Sequence, residues 1–119
     1  MPLGSFRDLE VWQLSMDLVE LVWKHTLTMP GQCFLLKQQL QGAAFSIPSN
    51  VAEGYRRKKR RAAYQNHVSI AMGSQGELDT QFEIAFRIGV LDRRNCQPTV
   101  DINDRVGAML NRLHDSLDR

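Results

Sequence analysis

An all-helical single domain, an antiparallel up-down bundle of four helices, is the fold class the sequence predicts. Three observations predict it. Apolar residues recur at steps of three and four along four separate segments. The connections between segments are short, around Pro30 and from Asn95 to Pro98, as antiparallel neighbours require. No stretch alternates apolar and polar residues as a half-buried strand would. A chain of 119 residues is long enough to bury one sizeable core without disulfides or metals.

The first helix is expected over about 8–28. Leu9, Trp12, Met16, Val19 and Trp23 share one face, Asp8 is placed to cap the free amides of the first turn, and Pro30 stands just beyond the end. A second apolar row, Val11, Leu14, Leu18 and Val22, lies on the adjacent face, so contacts are expected on more than one side.

The second helix is expected over about 31–54, with Leu36, Leu40, Ala44, Ile47 and Val51 on its stripe and Gly54 as its stop. Pro48 interrupts it. A proline removes one amide donor and crowds the carbonyl four residues back, at roughly 3 kcal/mol in a plain helix interior, so a kink or restart is expected there. Ser46 and Ser49 are near enough to serve the freed groups.

The third helix, about 60–91, carries Tyr64, Val68, Ala71, Gln75, Leu78, Phe82, Ala85 and Gly89. Its middle is small. Gly73, Ser74 and Gly76 lower helix propensity, by about 1 kcal/mol for a glycine, and the expected return is close approach of another backbone. The fourth, about 99–117, has Ile102, Val106, Met109, Leu113 and Leu117, with Thr99 as N-cap and Asp101 in the first turn.

Composition narrows the function classes. With 43% hydrophobic and 24% charged residues, the chain folds rather than remaining disordered. Cys33 and Cys96 are far apart and outside any CxxC pattern, which excludes a disulfide framework and a cysteine zinc site. No run reaches the ~18 apolar residues of a membrane span, and residues 1–6 lack a secretory pattern, so a cytoplasmic protein is expected. Residues 2–5 are given no structural weight.

The strongest charge feature is the run Arg56, Arg57, Lys58, Lys59, Arg60 and Arg61. Outside it the chain holds nine basic against thirteen acidic residues, so the run alone turns a net −4 into +2. Six adjacent positions cover every face of a helix, which makes the run a solvated hinge or helix start. Phosphate is the matching counterion, and Tyr55, Tyr64 and His67 lie near enough in sequence to stack on bases. The two readings are nucleic-acid contact, with RNA or DNA, and a merely solvating corner.

Ser46, Ser49, Asn50 and Glu53 form a polar stripe beside the apolar row of the second helix. Pairing with Gln75 or Gln81 of the third helix, or a place at a subunit interface, would satisfy it. His25, His67 and His114 sit on three different segments without Glu-x-x-His or His-Glu-x-x-His spacing, so no metal site is expected. Gly73-Ser74-Gln75-Gly76 has neither the lysine of a phosphate loop nor the spacing of a nucleophile elbow. Trp12, Trp23, Phe82 and Phe86 are read as packing anchors, not a cofactor box. No nucleophile, base and orienter occur at credible spacing, so neither an enzyme nor a cofactor is expected.

Three segments carry a family resemblance. They are Phe6-Arg7-Asp8-Leu9-Glu10-Val11-Trp12, then Ser46-Ile47-Pro48-Ser49-Asn50-Val51-Ala52-Glu53-Gly54, then Ile70-Ala71-Met72-Gly73-Ser74 followed by Glu77-Leu78. The sequence resembles the bacterial four-helix-bundle proteins encoded within intervening sequences of 23S ribosomal RNA genes. The resemblance implies an antiparallel bundle assembled as a ring-like homopentamer, a form shared with accessory proteins of diversity-generating retroelements. Those relatives bind a reverse transcriptase, and nucleic acid through a basic surface; no enzymatic activity is attached to the family. By this resemblance Ser46, Pro48, Ser49, Asn50, Glu53 and Gly54 are signature positions of the second helix, and Gly73, Ser74 and Glu77 of the third. One departure concerns charge: Gln41 and Gly42 precede Ala43-Ala44, where the family commonly has a basic residue. The six-cation run then becomes the expected positive patch, on a homo-oligomer that contacts nucleic acid or serves a protein partner.

Overall fold

Four helical stripes that must each bury an apolar face set the architecture. A computed structural model describes residues 4–118; α1 spans Glu10–Thr26, α2 Phe34–Arg56, α3 Arg61–Arg87 and α4 Arg93–Ser116. Single-turn 3-10 helices at Phe6–Asp8 and Gly31–Cys33 precede α1 and α2, and no strand occurs among the described residues. α1 and α3 each pack against both α2 and α4. Side-chain pairs fix the direction. Ser46 meets Ser74, Asn50 meets His67 and Gly54 meets Tyr64, so advancing along α2 means retreating along α3. The same reversal joins α3 to α4, where Gln75 pairs with Asn103 and Gln65 with the His114 carbonyl. α2/α3 and α3/α4 are therefore antiparallel pairs.

The core is continuous, with Leu18, Leu40, Ile47, Val51, Val68, Leu78, Phe82, Val106 and Leu110 at most 1% exposed. Each such side chain contributes roughly 1.5–3 kcal/mol relative to leaving it in water. The core face of α1 is Val11, Ser15, Leu18 and Val22, which is the second apolar row with Ser15 buried in place of the half-buried Leu14. The other row flanks it: Trp12, Met16 and Val19 are half-buried and Trp23 is 47% exposed. α4 is likewise rotated from its expected stripe, burying Cys96, Thr99, Asn103, Val106, Gly107 and Leu110, while Ile102, Met109 and Leu113 lie at the edges. Asn103 and Gln75 explain the rotation: Asn103 Nδ2 donates to the Gln75 carbonyl and Gln75 Nε2 donates to the Asn103 carbonyl, both at 3.2 Å. The Asn103 side-chain nitrogen thus has a partner, while its Oδ1 is buried without one among the described residues.

Helix ends differ from the sequence expectation at particular residues. Asp8 is not the N-cap of α1. It closes the preceding 3-10 turn, whose own cap is Ser5, with Oγ accepting from the Arg7 amide at 3.1 Å. Ser5 therefore has structural weight, whereas Pro2 and Leu3 lie outside the described residues. α2 runs through Pro48 as one helix to Arg56. Ser49 Oγ donates to the Phe45 carbonyl and Asn50 Nδ2 to the Ser46 carbonyl, so neither serves Ala44, the carbonyl whose donor the proline lacks. α3 stops at Arg87, four residues early, because Gly89 adopts φ +81°. The Gly89 amide donates to the Phe86 carbonyl and the Val90 amide to the Ala85 carbonyl, which is a Schellman ending. α4 begins six residues early at Arg93, capped by Asp92, whose Oδ2 accepts from the Asn95 amide at 2.9 Å. Thr99 is thus an interior residue and Pro98 lies inside the helix.

The small residues of α3 do not meet another backbone. A Cβ on Gly73 or Gly76 would find open space. The close approaches are elsewhere: at Gly107, packed on the Gln75 side chain, and at Gly54, where a Cβ would stand 2.9 Å from His67 Cβ and 3.2 Å from the Tyr64 carbonyl. Gly54 is an interior residue of α2, kept small by α3, and not its stop.

Candidate nucleic-acid interface

The antiparallel pair α2/α3 must turn through a short connection, and the six cations occupy it. Arg56 ends α2, Arg57 to Arg60 form the turn, and Arg61 opens α3. All six are exposed. Only Arg57 has an ion partner among the described residues, with Nε donating to Glu53 Oε2 at 2.9 Å. That contact holds the half-exposed Glu53 carboxyl below its ordinary pKa. α3 starts without a side-chain cap and with no acidic residue in its first turn. Its first amides are left to solvent or to an anion.

The aromatic residues around the turn are already engaged. Lys58 Nζ stands 4.1 Å from the centre of the Tyr55 ring and donates to the Tyr55 hydroxyl at 2.9 Å. Tyr64 is buried, edge-on to Tyr55. His67 Nδ1 lies 3.1 Å from Asn50 Oδ1, against Gly54. Of the three, Tyr64 is buried, and Tyr55 and His67 are half-buried and hydrogen-bonded within the chain. The structure adds a residue that the charge run hid: Arg7, in the 3-10 turn before α1, has its guanidinium 4.7 Å from the centre of the Phe6 ring. Arg56 sits over the same ring at 5.4 Å. The only sequence signal for this was an aromatic next to an arginine.

The polar stripe of α2 divides. Ser46 and Asn50 face α3, but their partners are Ser74 and His67, not Gln75 or Gln81: Ser74 Oγ donates to Ser46 Oγ at 2.8 Å, and Asn50 Nδ2 reaches Ser46 Oγ at 3.0 Å. Pro48 is buried beside them. Ser49, Gly73 and Glu77 are exposed, so these signature positions are not spent on this chain's own core. Glu77 lines a groove of about 340 Å³ with Gln39, Gly76, Thr80, Gln81 and Ile84.

At the opposite end of the bundle, Glu83 binds two arginines. Arg93 grips it in a bidentate pair at 2.8 and 2.9 Å, and Arg87 Nε adds a third bond at 2.9 Å. The Arg93 and Arg87 hydrogen bonds hold the Glu83 carboxyl down at about 2. Nearby, His25 ties α1 to α4, with Nε2 2.8 Å from Thr99 Oγ1 and Nδ1 3.5 Å from Cys96 Sγ. Partial burial pushes the His25 pKa down and, with help from Asp92, burial pushes the Cys96 thiol up. Residues 25, 96 and 99 share no local spacing that signals this cluster. The third histidine, His114, joins Asp115 and Asp118 at the end of α4, with ligand atoms within 4.8 Å of one another; Gln65 Nε2 donates to Asp118 there.

Among the described residues, no helix is long and apolar enough to cross a membrane. A search among curated proteins finds no match. The sequence model of one family, described as 23S rRNA-intervening sequence protein, matches residues 7–112, which takes in Arg7, the basic turn and the greater part of all four helices. The chain therefore belongs to the 23S rRNA-intervening sequence protein family.

Proposed function

We propose that this protein is a non-catalytic, cytoplasmic helical-bundle subunit that contacts the phosphate backbone of RNA or DNA through the turn from Arg56 to Arg61. One observation carries the reading: six consecutive cations are exposed on a single turn and, among the described residues, only Arg57 is ion-paired. Gathering like charges is unfavourable unless something neutralises them, and a polyanion does so while releasing its own condensed counterions. The uncapped start of α3 adds backbone amides to the same corner. With Tyr64 buried, and Tyr55 and His67 hydrogen-bonded to Lys58 and Asn50, contact is to phosphate and indifferent to base sequence.

A homo-oligomer completes the proposal. Ile70, Ile84 and Ile88 stand exposed along the face of α3 that carries Gly73 and Glu77, and Leu35 and Phe45 along the face of α2 that carries Ser49. Large apolar side chains in rows at helical spacing suit a second copy of the chain, and a ring would multiply one weak basic turn into avidity.

Binding of labelled RNA and DNA strands across a salt series tests the first part. Changing all six cations to Gln is expected to lower the salt slope by about 0.7–0.9 for each phosphate that the turn no longer neutralises. Unchanged affinity would sink the claim. Light scattering tests the second: a stable monomer at micromolar concentration refutes the oligomer and leaves a protein partner, such as a nucleic-acid enzyme, as the occupant of the apolar faces.

A further inference from the structure

Arg7 and Arg56 are brought together from positions 49 residues apart by one aromatic ring. Phe6 is itself packed on Trp12, with ring centres 5.2 Å apart, so its position is set by α1. Ser5 caps the short turn that carries Phe6 and Arg7, and a Cβ on Gly4 would stand 3.1 Å from the Lys58 ammonium and 3.3 Å from the Tyr55 hydroxyl. The segment from Gly4 to Asp8 is thus a strap laid across the end of α2. Neither Arg7 nor Arg56 has a carboxylate partner among the described residues.

A guanidinium stacked on a ring uses its face and keeps its in-plane N–H donors free, in a fork that matches phosphate oxygens. Stacking also limits the rotamers of a long side chain before any ligand arrives, which lowers the entropy cost of binding. With the two guanidinium carbons 4.7 and 5.4 Å from one ring centre, the like charges lie within about 10 Å of each other, a range over which a bound anion offsets their repulsion.

We propose that Arg7 and Arg56, held over Phe6, form a phosphate-binding clamp that extends the basic turn onto the N-terminal strap, with Phe6 as a positioning residue. The inference rests on the nucleic-acid reading above and names a part of that surface outside the six-cation run. Its ligand is the backbone phosphate of a nucleic-acid strand: the clamp is an exposed extension of a row of cations, suited to a polymer that repeats its phosphates.

Anisotropy of a labelled single-stranded oligoribonucleotide, measured across salt with the full chain, provides the test. R7Q is expected to reduce the salt slope by about 0.7–0.9, the equivalent of one neutralised phosphate. F6L is expected to weaken binding several-fold in the parent and to have no effect in an R7Q/R56Q background, because it acts only through those two groups. Far-UV circular dichroism checks that F6L folds; R7Q, at an exposed side chain, keeps the test valid if it does not. If R60Q/R61Q weakens binding while R7Q leaves the slope unchanged, the clamp is refuted and the basic turn stands. If the parent binds no nucleic acid, the reading above fails, and a titration with inorganic pyrophosphate, followed through the arginine Nε–H resonances, decides the clamp alone. Shifts at Arg7 and Arg56 that vanish in F6L support it, and shifts confined to other arginines overturn it. A surface that prefers phosphatidylserine vesicles to RNA at equal charge also overturns it.

Discussion

The two ends of this bundle are both rich in arginine and use it in opposite ways. Where α3 hands over to α4, Arg87 and Arg93 close on one carboxylate, Glu83, and Asp92 caps the new helix. Where α2 hands over to α3, six cations share one acid, Glu53, and the new helix has neither cap nor acidic first turn. Cations at a helix start oppose the macrodipole. One end answers that with its own carboxylates; at the other, among the described residues, only Arg57 has a carboxylate partner. Charge that a fold neutralises is structural, and charge that it leaves open is available for a partner.

The comparison can be broken by exchanging the roles of the two ends. The largest effect is expected from the six-to-Gln variant, which should lower nucleic-acid affinity by about two or more orders of magnitude at low salt, whereas R87Q/R93Q leaves it unchanged. Equal losses from both would erase the distinction. Next in size, Gly54→Ala places a methyl against His67 and the Tyr64 backbone at the base of the basic turn, and a loss of about 1–3 kcal/mol is expected in urea unfolding. At the other end Gly89→Ala has open space but a φ of +81°, so a smaller loss, about 1 kcal/mol, should appear.

Acid separates the ends further. The pKa of the half-buried His25 is lowered in the folded chain by desolvation, so its contribution to stability is present above about pH 6.5 and is lost as pH falls through the lowered value. Thermal unfolding of the parent should therefore weaken below that pH, and H25Q should remove this part of the dependence. The smallest effect belongs to Glu83. Its folded value of about 2 lies below its ordinary 4.5, so the stabilisation is present above pH 4.5 and lost as pH falls towards 2. Melting temperatures of parent and E83Q should converge across that window; a difference that persisted at pH 2 would mean the arginine pairs contribute nothing through charge.

Much of this was legible from residue order. Period-3.6 stripes named helix number and type because burying a stripe is the dominant local demand on each segment. The basic turn was legible for a simpler reason: six adjacent cations cannot all be buried. Helix ends were less so. Thr99 reads as a cap because its side chain suits one, yet Asp92 caps and Thr99 bonds His25, a residue 74 positions away. Gly54 reads as a stop because glycine often is one, yet here it is small to admit α3. The strap was illegible, since a cation-π contact between Phe6 and Arg56 leaves no mark on local sequence.

The sequence by itself determined that the chain is four helices with one strongly basic turn, because periodicity and charge are local properties of residue order. Only the tertiary structure decided which of two apolar rows of α1 faces inward, that Asn103 and Gln75 exchange hydrogen bonds between α4 and α3, and which arginines are neutralised. Those outcomes depend on which side chain stands opposite which, and opposition is created by antiparallel packing of helices, not by neighbours along the chain.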